Sequence, residues 1–101
     1  MKYNKLVRDK IPEIIKDRKE IPIVHIADEK EYDKKLKEKL SEEVNEFLKE
    51  PNKEEIADIL EVIDAICKFR KFDKKEIEKI KEEKKNKRGS FDKRIILDET
   101  H

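Results

Sequence analysis

Between Asp28 and Cys67 the apolar residues of this chain recur at α-helical spacing, and the pattern is interrupted once, at Pro51. Tyr32, Leu36, Leu40, Val44, Phe47 and Leu48 form the first stripe; Ile56, Ile59, Leu60, Ile63, Ile66 and Cys67 form the second. Residues three and four apart share one helix face, so each stripe demands a surface to cover it. Proline lacks a backbone donor and biases the preceding residue toward extended geometry, which ends the first helix near Lys49. Asn52 and Glu55 then have capping-box spacing, as do Asp28 and Glu31 at the start of the first helix. Two long helices joined by so short a turn fold back on each other as an antiparallel hairpin.

Smaller elements flank the hairpin. The opening YNKLVRDKIPEIIKDRK predicts a short helix from Asp9 to Lys19, capped by Asp9 with Ile11, Ile14 and Ile15 inward. IPIVHIA, residues 21–27, is short and β-branched and reads as a strand. KRIIL, residues 93–97, reads as a second strand, and the two are expected to pair in a small β ribbon near 22–26 and 93–97. Asp73 and Glu76 repeat the capping pattern before a helix ending near Lys87, with Gly89 as its stop. The expected fold class is therefore mainly α. It is one domain over 1–101, in which a helical hairpin completes a bundle by oligomerisation. Two long helices and a short one cover the stripes thinly, so a dimer or tetramer of this chain is expected.

Composition narrows the function classes. Of the 101 residues 35% are hydrophobic and 52% charged, with a net charge of +1. So high a charge is compatible with disorder, but periodic apolar residues and balanced signs favour a folded domain. The balance also lacks the basic excess expected of a nucleic-acid binder. The run KIKEEKKNKR, residues 79–88, reads as a solvated helix face. No apolar run is long enough to span a bilayer, and no secretory pattern is visible. Cys67, the one cysteine, falls among Leu60, Ile63 and Ile66 and reads as a core thiol in a reducing, cytoplasmic setting. His25 has no second histidine at ligand spacing and reads as structural.

The acids of the hairpin are the chemical signal. Glu46 and Glu55 lie equally far from the turn, and so do Glu43 and Asp58. At about 100° per residue, Glu43 falls at the edge of the first apolar stripe and Glu46 just beyond it. Glu42 points nearly opposite, to solvent. Glu55 and Asp58 share one flank of the second stripe; Glu61 and Asp64 take the other. Facing i, i+3 pairs of carboxylates repel unless a cation joins them. Oxygen-only ligands suit Mg²⁺ or Mn²⁺, and Mg²⁺ retains waters that a phosphate can displace. Acids next to lysines also solubilise helices without any chemistry, and Glu55 also suits the far end of a capping box. Spacing alone leaves both readings open.

Glu43-Val-Asn-Glu46 and Glu55-Ile-Ala-Asp58 resemble the ExxE and ExxD motifs of MazG-type all-α nucleoside triphosphate pyrophosphohydrolases. KLSEEVNEF and EEIADILEVIDAI are similar to that family's two metal-binding helices. YNKLVRDKIPEII and RGSFDKRIIL resemble the ends of a small phosphoribosyl-ATP pyrophosphohydrolase-like subgroup. The resemblance covers nearly the whole chain. It departs in one respect: eight residues separate the two motifs, fewer than in many relatives. Glu61-Val-Ile-Asp64 would restore a longer separation, but hairpin symmetry and local context favour Glu55 and Asp58.

The resemblance implies a helical homo-oligomer that uses Mg²⁺ (or Mn²⁺) to cleave a nucleotide between its α and β phosphates, releasing pyrophosphate. It implies Glu43, Glu46, Glu55 and Asp58 as metal-holding and catalytic residues, with Glu46 orienting the attacking water. Lys5, Arg8, Lys84 and Arg88 are candidates to meet the substrate phosphates, Arg8 and Arg88 foremost because they lie in the family-like ends. The implied role is house-cleaning of non-standard nucleotides. Phosphoribosyl-ATP hydrolysis in histidine synthesis is the enzymatic alternative, and a non-catalytic helical interaction module is the alternative of another class.

Overall fold

The structure, a computed structural model, describes residues 2–101. It is all-helical among these residues: α1 (Ile11–Asp17), α2 (Glu29–Lys49), α3 (Lys53–Arg70) and α4 (Lys74–Arg88). Two compact units divide the chain, one running up to Arg70 and the other spanning Lys71–His101.

The first unit is built on the α2–α3 hairpin. Asp28 caps α2 by accepting a 2.8 Å hydrogen bond from the Glu31 amide. The return half of the box is diverted, because the Glu31 carboxylate instead meets His25 Nε2 at 2.8 Å. His25 is thus tied to the start of α2. Glu50 leaves helical geometry immediately before Pro51, the steric effect proline exerts on its predecessor. Asn52 Oδ1 accepts the Glu55 amide at 2.9 Å and opens α3. Acids fill the first turns of both helices and bases the last, which complements their dipoles.

At the open end of the hairpin Tyr32 and Phe69 stack edge to face, ring centroids 5.1 Å apart, and Arg70 pairs with Asp33. Tyr32 and Phe69 are equidistant in sequence from the turn, and so are Glu43 and Asp58. The antiparallel register expected from the acids is therefore the register that the aromatic pair marks. Leu36 (2% exposed) from α2 and Val62 and Cys67 from α3 are the buried core. Cys67 is a free, buried thiol. A face nearer the turn is left uncovered: Val44, Leu48, Ile56, Leu60 and Ile63 are all exposed.

α1 is shorter than the sequence pattern predicts. Lys10 occupies its N-cap without any side-chain capping bond, and Pro12 sits in the first turn. Asp9 lies outside the helix because the proline, which needs no amide partner, sets the start instead. Lys19 closes the helix in a left-handed conformation (φ 61°), with the Glu20 amide bonding Ile15 O.

No strand forms in the two segments expected to make a β ribbon. In the first of them Ile21, Ile23 and Ile26 stand exposed. In the second unit Arg94 adopts φ 56° and its amide bonds Phe91 O. That turn breaks the extended run predicted for 93–97. α4 ends where predicted: Gly89 takes φ 83° and its amide bonds Lys85 O at 2.8 Å, a conformation that suits a residue without Cβ. α4 buries no residue.

Candidate metal centre

Three of the four predicted acids converge. Glu43 on α2 and Glu55 and Asp58 on α3 each offer a carboxylate oxygen, and these oxygens lie within 4.8 Å of one another. All three residues are half-buried. Local structure sets where each acid stands on its helix, and the packing of α2 against α3 brings them together. Glu43 sits beside the apolar stripe of α2, the cap at Asn52 fixes where α3 begins, and one helical turn carries Asp58 onto the flank that Glu55 occupies. Glu55 is not the far end of a capping box, since only its amide serves the cap while its carboxylate faces Glu43 and Asp58.

Glu55 Oε2 is buried and has no hydrogen-bond partner. The burial is local to that oxygen, as the residue as a whole is half-buried. Desolvation pushes the Glu55 carboxyl above its ordinary range, and contact with Glu43 and the charges of Asp58 and Glu46 push it the same way. A proton shared with a neighbouring carboxylate or a cation would each satisfy such a group. The donor set is oxygen-only, which fits a hard divalent ion and excludes none of the Mg²⁺ geometry that waters complete.

Glu46 is exposed and outside the converging triad, though its charge is felt at Glu55. Glu61 and Asp64 are also exposed and take no part in the triad.

Basic residues bracket the cluster. Arg8 Nη2 donates to Asp58 Oδ1 at 2.8 Å. Lys5 Nζ pairs with Glu42 at 3.0 Å, and Lys39 Nζ lies 2.9 Å from Glu42 and 3.4 Å from Glu43. The opening segment thus touches α2 through Lys5 and α3 through Arg8, straddling the hairpin beside the acids. Lys35 fastens the same segment by donating to Asn4 O at 2.8 Å. Two of the four predicted phosphate-binding residues are therefore at the site. Lys84 and Arg88 lie on α4, exposed, in the second unit.

Helical geometry predicts Glu42 pointing to solvent; the structure corrects this. Glu42 is half-buried because the opening segment covers that side of α2 and supplies Lys5. Burial works against its charge, but Lys39 and Lys5 outweigh it and hold the carboxyl below its ordinary range. Burial likewise works against the Lys39 ammonium, yet Glu42 and Glu43 hold it above its ordinary value. Lys39 was not singled out by the sequence pattern. Its signal was available: it precedes Glu42 by three residues and Glu43 by four, the spacings at which helix side chains meet. A cavity of about 170 Å³ lies between the opening segment and α2, lined by Lys5, Leu6, Lys35, Glu38, Lys39 and Glu42.

Comparison with known protein families, curated proteins and solved structures finds no match for this chain. No helix among the described residues is long and apolar enough to cross a membrane.

Proposed function

We propose that this chain is a Mg²⁺-dependent nucleotide pyrophosphohydrolase of MazG-like type, cleaving between the α and β phosphates to leave a monophosphate and pyrophosphate. The observation that carries the reading is the convergence of Glu43, Glu55 and Asp58 around a buried carboxylate oxygen that has no partner. Glu43, Glu55 and Asp58 would hold the ion. Bound there, Mg²⁺ supplies a Lewis acid that offsets charge developing on the phosphate oxygens. Glu46, exposed and with its charge felt at Glu55, would orient the attacking water as an acceptor. Arg8 and Lys5 bring positive charge beside the acids, where guanidinium geometry suits phosphate.

A second copy of the chain is part of the proposal. Exposed Val44, Leu48, Ile56, Leu60 and Ile63 lie on the same two helices as the acids. A homodimer, or a tetramer built from it, would cover these residues and complete the walls of a nucleotide site.

The test is pyrophosphate release from a panel of nucleoside triphosphates and phosphoribosyl-ATP, with Mg²⁺ and with chelator. Chelator-sensitive release that Asp58→Asn abolishes, with helicity retained by circular dichroism, is expected. Silence across the panel, with no thermal shift on adding Mg²⁺, would overturn the reading in favour of a helical interaction module.

A further inference from the structure

The two cations nearest the acids are held differently. Lys39 is half-buried and shared between Glu42 and Glu43, so two acids fix it on its own helix. Arg8 stands in the irregular opening segment, its side chain 58% exposed, and bonds Asp58 through Nη2 alone. A guanidinium offers five donors in a planar fork, so most of this one remains uncommitted. It therefore neutralises Asp58 by a single, solvent-screened bond and can be lost from it cheaply. A divalent ion bound by Asp58 would stand next to that guanidinium and repel it.

We propose that Arg8 is a tethered counter-ion of the acidic cluster: a divalent cation displaces it from Asp58, and the released guanidinium then binds the phosphate chain of the nucleotide. This rests on the metal reading given above and adds an exchange to it. Before loading, Arg8 lowers the net charge of the cluster and so weakens metal binding. After loading, the same side chain is free for bidentate contact with a polyanion. Arg8 is thus a substrate-binding residue whose removal moves two affinities in opposite directions, which a merely structural ion pair would not do.

Mn²⁺ affinity is measured by titration calorimetry in the wild type, Arg8→Gln, Arg8→Lys and Lys10→Ala. Pyrophosphate affinity is then measured in saturating Mn²⁺. Lys10 is exposed at the N-cap of α1, so Lys10→Ala makes the same change of charge two residues away without touching Asp58. Arg8→Gln is expected to tighten Mn²⁺ by about two- to fivefold, the worth of an exposed ion pair. It is expected to weaken pyrophosphate by about tenfold, as loss of charge-assisted hydrogen bonds does. Arg8→Lys should restore the Mn²⁺ affinity toward wild type but not the bidentate phosphate contact. Unchanged or weakened Mn²⁺ binding in Arg8→Gln, equal tightening in Lys10→Ala, or unchanged pyrophosphate affinity each overturns the exchange. Wild-type protein that binds no Mn²⁺ would instead overturn the metal reading beneath it. Melting by circular dichroism confirms that each variant is folded.

Discussion

Glu43→Gln separates a metal centre from a cluster of merely solubilising acids, because it changes stability in opposite senses with and without the ion. The Glu43 side chain is 13% exposed, lies 3.4 Å from Lys39 Nζ, and has two acid neighbours within 4.8 Å. Like charges at that separation repel by about 0.9 kcal/mol with water-like screening and about 3.5 kcal/mol at the effective dielectric of a protein surface. Neutralising Glu43 removes two such repulsions and forfeits one attraction to Lys39, worth about 1.2 to 5 kcal/mol on the same scale. The difference is a stabilisation of about 1 kcal/mol in metal-free protein. For a domain of this size that raises the melting temperature by about 4–8 °C. With Mg²⁺ present the order reverses, since an amide in place of a carboxylate removes a charged ligand, and the ion's contribution to stability shrinks with its affinity. The assay is thermal denaturation at pH 8 and fixed protomer concentration, in chelator and in millimolar Mg²⁺. A variant that melts lower than wild type in chelator would refute the electrostatic reasoning. An undiminished Mg²⁺ increment would refute the ligand assignment.

Further outcomes follow from the same geometry. The Glu55 carboxyl titrates above the ordinary value of 4.5 in the folded protein, so the folded state holds its proton more tightly than the unfolded chain. The associated stability is fully present below the ordinary value and is lost as pH rises through the raised one. Melting in chelator across this window should therefore show a fall that Glu55→Gln abolishes. Because protons compete with the ion for the same oxygens, Mg²⁺ stabilisation should grow with pH over the same range. Leu36→Ala, at the most buried core position, should cost about 2–4 kcal/mol by urea denaturation. Asp28→Ala removes the cap of α2 and should cost about 1 kcal/mol, with a loss of helical ellipticity on warming. A loss much below either figure would show that the hairpin is held chiefly by contacts outside that core or cap.

Several features of the fold were legible because they depend on local chemistry. The stripes of α2 and α3, the break at Pro51 and the caps at Asp28, Asn52 and Asp73 are encoded within a few residues of where they act. The antiparallel register followed from chain connectivity, and Tyr32 against Phe69 bears it out. Residues 21–27 and 93–97 form no strand among the described residues. The β-branched run at 21–27 carries strand propensity, but propensity supplies no hydrogen-bond partner, and the left-handed turn at Arg94 interrupts the other run.

The sequence by itself determined that the chain forms amphipathic helices, that two of them make a hairpin, and that acids line facing flanks of it, since periodicity and capping act over single helical turns. Tertiary structure decided which acids meet. It drew Glu43, Glu55 and Asp58 together and left Glu46 outside, because convergence depends on how far each helix rotates as Leu36, Val62 and Cys67 pack. It also decided that Lys5 and Arg8, which lie dozens of residues from these acids in sequence, close over Glu42 and Asp58. No local pattern records that contact, because it arises only when the opening segment crosses the finished hairpin.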